Sequence, residues 1–289
     1  MNVVLPKLIA NLSCLRTLNL SSCGIEEVPS NIRKLIHLRY VDLSRNEIRE
    51  LPKEMCELYN MLTLDVSYCS ELERLPDNIG RLVKLRHLSI LNIQFMKKRG
   101  VEGLSSLRQL DVFHVSGSGE ESNIGDLRNL NHLQGSLRMR WLGDVKDPDE
   151  VKKAELHNKK HLTHLELCEE GEDSDISTGE MTSSSSSNTI IAFPKLKNLS
   201  FGYMEEWEEW EGGEGGNEDK TNISISTIMP SLRSLEIRHC PKLKALPDYV
   251  LQSTTLEKLE IKWSPIIEEQ FKAGGKGWPN ASHTPNITF

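Results

Sequence analysis

The chain has 289 residues, 27% of them charged, a formal net charge of −7, and no run near the about 18 consecutive apolar residues that a membrane span needs. Of its 35 basic and 42 acidic residues, one lysine and eight acids lie within 205–220, which leaves 34 of each elsewhere and no basic stripe of the kind a general nucleic-acid binder uses. The six cysteines form no C-x-x-C pair and no charged-then-apolar leader opens the chain, so free structural thiols in the cytosol are expected, not a disulfide or zinc framework.

In chain order, one phrase recurs. It reads L-R-T-L-N-L-S-S-C from 15, L-R-Y-V-D-L-S-R-N from 38, M-L-T-L-D-V-S-Y-C from 61 and L-R-H-L-S-I from 85, starts that lie 23, 23 and 24 residues apart. Between the copies runs a second phrase, from Val28-Pro29, Leu51-Pro52 and Leu75-Pro76 to Leu35, Leu58 and Leu82. This L-x-x-L-x-L-x-x-N/C-x-L period is the leucine-rich repeat signature. The expected class is α/β: a right-handed leucine-rich repeat solenoid with a parallel concave β-sheet and an irregular convex side of short helical turns. Strand alternation turns the leucines inward and the x residues outward. Cys23, Asn46, Cys69 and Cys240 share the structural Asn/Cys slot just past each strand, where a side chain can bond backbone groups otherwise buried unpaired. The segment Leu5-Pro6 to Leu12 matches the connector phrase, so the chain opens in mid-turn and a preceding repeat or domain is expected.

Beyond Leu91 the array loosens. Strands are expected at Leu107–Val112, Leu137–Leu142, Leu162–Cys168, Leu196–Phe201, Leu232–Ile237 and Leu256–Ile261. Asp147-Pro148-Asp149-Glu150 predicts a helix through Lys152 to Lys160. The organisation reads as regular repeats over 1–94 and degenerate repeats with one helical insertion over 95–168. A disordered acidic and serine-rich loop follows over 169–190, then C-terminal repeats over 191–267 broken by an acidic insertion at 205–222, and a tail over 268–289.

The L-P-x-x-I-x-x-L connectors, Gly135 to Gly143, Lys153 to Leu167, and Trp278-Pro-Asn-Ala-Ser-His-Thr-Pro-Asn-Ile287 together resemble the leucine-rich repeat region of plant nucleotide-binding disease resistance proteins of the coiled-coil class. The resemblance implies a defence receptor part that recognises a pathogen effector or a guarded host protein and restrains a nucleotide-binding (NB-ARC) switch domain, met in cis or in trans. The chain has no G-x-x-x-x-G-K-[ST] loop, so it cannot perform that switching itself. The implied place is the cytoplasm, with nuclear or membrane association through partners. The rival readings are a free-standing leucine-rich repeat scaffold, and a ubiquitin-ligase adaptor that would need an F-box-like segment.

No catalytic residue, cofactor or metal site is expected. His157, His161, His164 and Glu166 lack metal-ligand spacing, and Gly212 to Gly216 is acidic with no following lysine. Six N-x-S/T sequons lack a secretory leader to make them glycosylation sites. Trp207 and Trp210 are expected to anchor the acidic insertion. The candidate partner-binding residues are the outward strand positions: Arg16, Asn19, Arg39, Tyr40, Asp42, Asp65, Arg86, His87, Arg233, Glu236, Arg238, Lys258 and Lys262. Arginine and tyrosine on a rigid face suit a protein partner. Arg16, Arg39 and Arg86 are expected to stack as a basic ridge beside an acidic row of Asp42 and Asp65.

Overall fold

The structure, a computed structural model, describes residues 5–93, 100–115, 123–140, 142, 153–169, 193–210, 229–251, 253–272 and 286–289. It divides into two compact units, Met1–Leu133 and Gln134–Phe289. The expected disordered loop from 170 to 190, the acidic insertion from 211 to 222 and the helix start at 147–150 lie outside the described residues.

In the first unit a helix, α1 (Leu5–Asn11), precedes five strands, β1 (Thr17–Asn19), β2 (Tyr40–Asp42), β3 (Thr63–Asp65), β4 (His87–Ser89) and β5 (Gln109–Leu110), paired in parallel in that order. A sixth strand, β6 (Val112–His114), follows β5. The register Thr17↔Tyr40↔Thr63↔His87↔Gln109 stacks every coil on the next without a slip. Strands β1 to β4 are three residues long and are flanked by buried or half-buried apolar residues. Leu35, Leu38, Leu58, Leu64, Leu82 and Leu85 are fully buried. Each connector is a short 3-10 turn. Those at Ser30–Lys34 and Lys53–Glu57 are entered from an extended proline (Pro29 φ −74°, Pro52 φ −66°), since proline presets φ and lacks a donor, and Ile79–Arg81 is entered from Asn78. The turn closes on a leucine whose N–H bonds the third residue back, as Leu35, Leu58 and Leu82 do. The connectors Ile79–Arg81 and Val101–Gly103 approach so closely that a Cβ built on Gly103 would lie 2.8 Å from the Gly80 Cα.

The second unit pairs β7 (Gln134–Arg140), β8 (His161–Cys168), β9 (Asn198–Gly202), β10 (Ser234–Arg238), β11 (Lys258–Lys262) and β12 (Asn286–Thr288) in parallel, again in chain order. Two helices, α2 (Asp248–Leu251) and α3 (Pro265–Phe271), lie beside β11 in sequence. Neither helix nor β12 is expected from the repeat pattern. The helix expected through Lys152 to Lys160 is corrected in its second half: Lys153 is helical, but Glu155 is left-handed (φ 47°) and Leu156–Asn158 forms a 3-10 turn, so the helix does not continue to Lys160. That turn closes on Lys159, which takes the backbone shape of Leu35 and Leu58 and is fully buried. Burial pushes the Lys159 ammonium down to about 8, against an upward pull from Glu155.

Candidate recognition face

The Asn/Cys slot sits just past the strands of the first unit, and Asn46 there meets the backbone of a neighbouring coil. Asn46 Oδ1 accepts from the N–H groups of Cys23 and Ile25, both at 3.0 Å, and Nδ2 donates to the carbonyls of Leu20 (2.9 Å) and Leu43 (2.7 Å). Where cysteine replaces it, the thiol donates to one carbonyl: Cys69 to Leu43, Cys23 to Ser21 and Cys240 to Arg238. Burial pushes the Cys240 thiol up to about 11, and Cys56 likewise, so neither is a ready thiolate at neutral pH. All six cysteines are free. Ser264 fills the same slot in the last coil, its hydroxyl accepting from the Cys240 N–H at 3.0 Å; a motif written for Asn or Cys misses it.

One residue ahead of the slot, seven coils bend through a left-handed residue: Ser22, Arg45, Tyr68 and Asn92 in the first unit, and Tyr203, His239 and Trp263 in the second. None is glycine, so sequence carries no sign of the conformation. Their side chains stack: Arg45 lies 4.4 Å from the Tyr68 ring centroid, and His239 is sandwiched between Tyr203 and Trp263 at 4.6 Å from each. Trp207 and Trp210 pack on Phe201, 4.8 and 5.0 Å between centroids, and Lys242 and Lys244 pair with Glu206 (2.5 Å) and Glu208 (2.6 Å). The start of the acidic insertion is therefore anchored as its tryptophans suggest.

Among the outward strand positions, the aspartates and asparagine serve the turns. Asn19, Asp42 and Asp65 each cap the N–H two residues on, at Ser21, Ser44 and Ser67, and Asn19 Nδ2 also donates to Asp42 at 3.1 Å. Asp42 is only 8% exposed as a result. The Tyr40 hydroxyl is pushed up from its ordinary value by desolvation first, then by Asp42 and Asp65. His87 Nδ1 lies 2.5 Å from Gln109 Oε1.

The arginines differ. Backbone bonds Arg39 N–H to Arg16 O, Leu62 N–H to Arg39 O, Arg86 N–H to Leu62 O and Arg108 N–H to Arg86 O place them in one row. Arg16, Arg39, Arg86 and Arg108 are exposed, and no side chain among the described residues pairs with any of them. Arg108 extends the row beyond the expected three, while half-buried Leu62 stands between Arg39 and Arg86 and breaks its continuity.

In the second unit the corresponding charges neutralise one another. Arg138 pairs with Glu166 (3.2 Å), Arg233 with Glu257 (3.0 Å) and Arg238 with Glu236 (2.9 Å), and Lys258 and Lys262 both hold Glu260. His157, His161 and His164 do not converge, and no group of three or more His, Cys, Asp or Glu side chains gathers among the described residues.

A family model described as "Leucine-rich repeat region" matches residues 30–210, and a second, "Leucine Rich Repeat", matches 14–35. The chain belongs to the leucine-rich repeat family. Over 97 residues it is 33% identical to "Probable disease resistance protein RF45" of Arabidopsis thaliana, a match covering 34% of this chain and 8% of that protein. It is 37% identical over 62 residues, 21% of this chain and 7% of the relative, to "Probable disease resistance RPP8-like protein 4" of the same plant. The matches thus span less than a tenth of these relatives' lengths. A leucine-rich repeat protein of Leptospira interrogans aligns over 98% of this chain and 86% of its own, at 19% identity and a TM-score of 0.39. No helix among the described residues of this leucine-rich repeat chain is long and apolar enough to cross a membrane.

The buried Glu260 makes the repeats of the second unit acid-sensitive. Its bonds to Lys258 and Lys262 hold its carboxyl at about 2, below the ordinary 4.5. A depressed carboxyl stabilises the fold above the unfolded value and stops doing so as pH falls from about 4.5 to about 2. The urea midpoint of the wild type should therefore exceed that of Glu260→Gln at pH 7, with the gap narrowing below about pH 4.5 and closing only near about pH 2. A gap independent of pH contradicts the assignment.

Proposed function

We propose that this leucine-rich repeat chain is a non-enzymatic protein-recognition module of plant innate immunity. It binds a pathogen effector or a guarded host protein on the sheet face of its first unit, and in doing so releases a nucleotide-binding (NB-ARC) domain that it otherwise restrains in cis or in trans. The observation that carries the reading is the contrast between four exposed, unpaired arginines in the first unit and the paired charges of the second. An arginine guanidinium with its donors unused is the group best suited to meet a partner's carboxylates. Charges already paired within the chain must be broken from their mates first. Tyr40 and His87 flank the row, whereas Arg233, Glu236, Arg238, Lys258 and Lys262 serve chiefly to hold their own sheet. The similarity to plant disease resistance proteins supports the setting, which is cytoplasmic, with nuclear or membrane placement through partners.

Co-purification from infected and healthy plant tissue tests the reading, with the wild type set beside an Arg16→Glu/Arg39→Glu/Arg86→Glu variant. The variant should retain the wild-type circular dichroism and lose the captured partner by about tenfold or more. Equal capture by both proteins contradicts it.

A further inference from the structure

Resting on the proposal that the arginine row meets a partner, we infer that the segment it takes is a protein segment both acidic and apolar. A second row runs three residues ahead of the arginines, with the exposed His37, Asn60 and Lys84 between the two. The register Tyr40↔Thr63↔His87 carries Ile36, Tyr59 and Val83 into line, one per coil, at 56%, 47% and 50% exposure. Each lies on the turn just after a buried leucine and three residues ahead of Arg39, Leu62 and Arg86 respectively. The turns are tied across coils, because Asn60 Nδ2 donates to the Ile36 carbonyl at 3.0 Å and Lys84 Nζ to Asn60 Oδ1 at 2.9 Å. Single exposed apolar side chains are ordinary on any surface. Three in register near unpaired arginines, with the Tyr59 hydroxyl accepting from Arg81 at 2.8 Å, form a composite strip.

Charge complementarity names the occupant. Carboxylates facing Arg39, Arg86 and Arg108 answer the basic row, and aliphatic or aromatic side chains cover Ile36, Tyr59 and Val83. The coils repeat at about 4.8 Å, so a segment crossing four of them need be only about 15 Å long. A nucleic acid fits worse, because its phosphodiester chain has no aliphatic face for Ile36 and Val83.

Fluorescence anisotropy on the full chain tests this with labelled peptides of about 16 residues, ample to cross four coils. The probes alternate Glu and Leu, Glu and Ser, or Lys and Leu, with a single-stranded RNA of similar length beside them. The Glu/Leu peptide should bind about tenfold or more tightly than the Glu/Ser peptide. Ile36→Ser/Val83→Ser should erase that preference, and Arg39→Glu/Arg86→Glu should abolish binding of both. The inference is overturned if Glu/Leu does not bind or shows no preference over Glu/Ser, or if Lys/Leu or RNA binds as tightly. If a tissue partner is still lost on arginine reversal while the Glu/Leu peptide shows no preference, the acidic-apolar inference alone fails. If arginine reversal changes neither partner nor peptide binding, the recognition reading fails with it.

Discussion

Replacing Asn46 by alanine is expected to destabilise the Met1–Leu133 unit by about 3–5 kcal/mol. The side chain accepts from two backbone N–H groups and donates to the carbonyls of two coils, all close to 3 Å, and it is only 4% exposed. Truncation leaves the Ile25 N–H and the Leu43 carbonyl buried without the amide and the other two partners half-buried, which costs more than losing an exposed bond. Asn46→Cys should lose less, because a thiol in the same slot still donates to one carbonyl, as Cys69 does to Leu43. Urea midpoints should rank Asn46 above Asn46→Cys above Asn46→Ala. Hydrogen exchange should quicken at the Cys23 and Ile25 amides in the alanine variant. An alanine variant as stable as the wild type would remove the slot from the account of what joins the coils.

Gly80→Ala and Gly103→Ala carry the next largest effect, a loss of about 2–3 kcal/mol each. A Cβ on Gly80 would lie 3.0 Å from the Gly103 Cα, and one on Gly103 would lie 2.8 Å from the Gly80 Cα and carbonyl oxygen. The obstructing atoms are backbone, so no side chain can swing aside and the two turns must separate. Because one separation admits both methyl groups, the double variant should lose less than the sum of the singles. Strict additivity in thermal or urea unfolding would show that the turns do not touch.

How much of this was legible follows from which interactions repeat. The strands, the inward leucines and the Asn46 slot recur at a fixed period, and a period shows in a single sequence. The left-handed residues also recur, yet Arg45, Tyr68, His239 and Trp263 have no composition in common, because the bend is imposed by the coil and tolerated by whatever side chain stands there. Lys159 was hidden for the opposite reason. It holds a leucine's place in the turn with a side chain that reads as solvent-exposed, and the helix expected around it rested on local propensity that the coil overrides. The arginine row was visible as a spacing. Its gap at Leu62, its extension to Arg108 and the ion pairs that occupy Arg233 and Arg238 needed coordinates, since pairing depends on which x residues meet across neighbouring coils.

The most direct measurement sets the two units' charges against each other. Arg39→Glu/Arg86→Glu and Arg233→Glu/Arg238→Glu are compared, at matched circular dichroism, for the amount of plant partner each retains against the wild type. The account predicts that the first pair loses the partner by about tenfold or more while the second keeps it within about twofold. Loss through the second pair with the first unaffected would contradict the assignment of the recognition face.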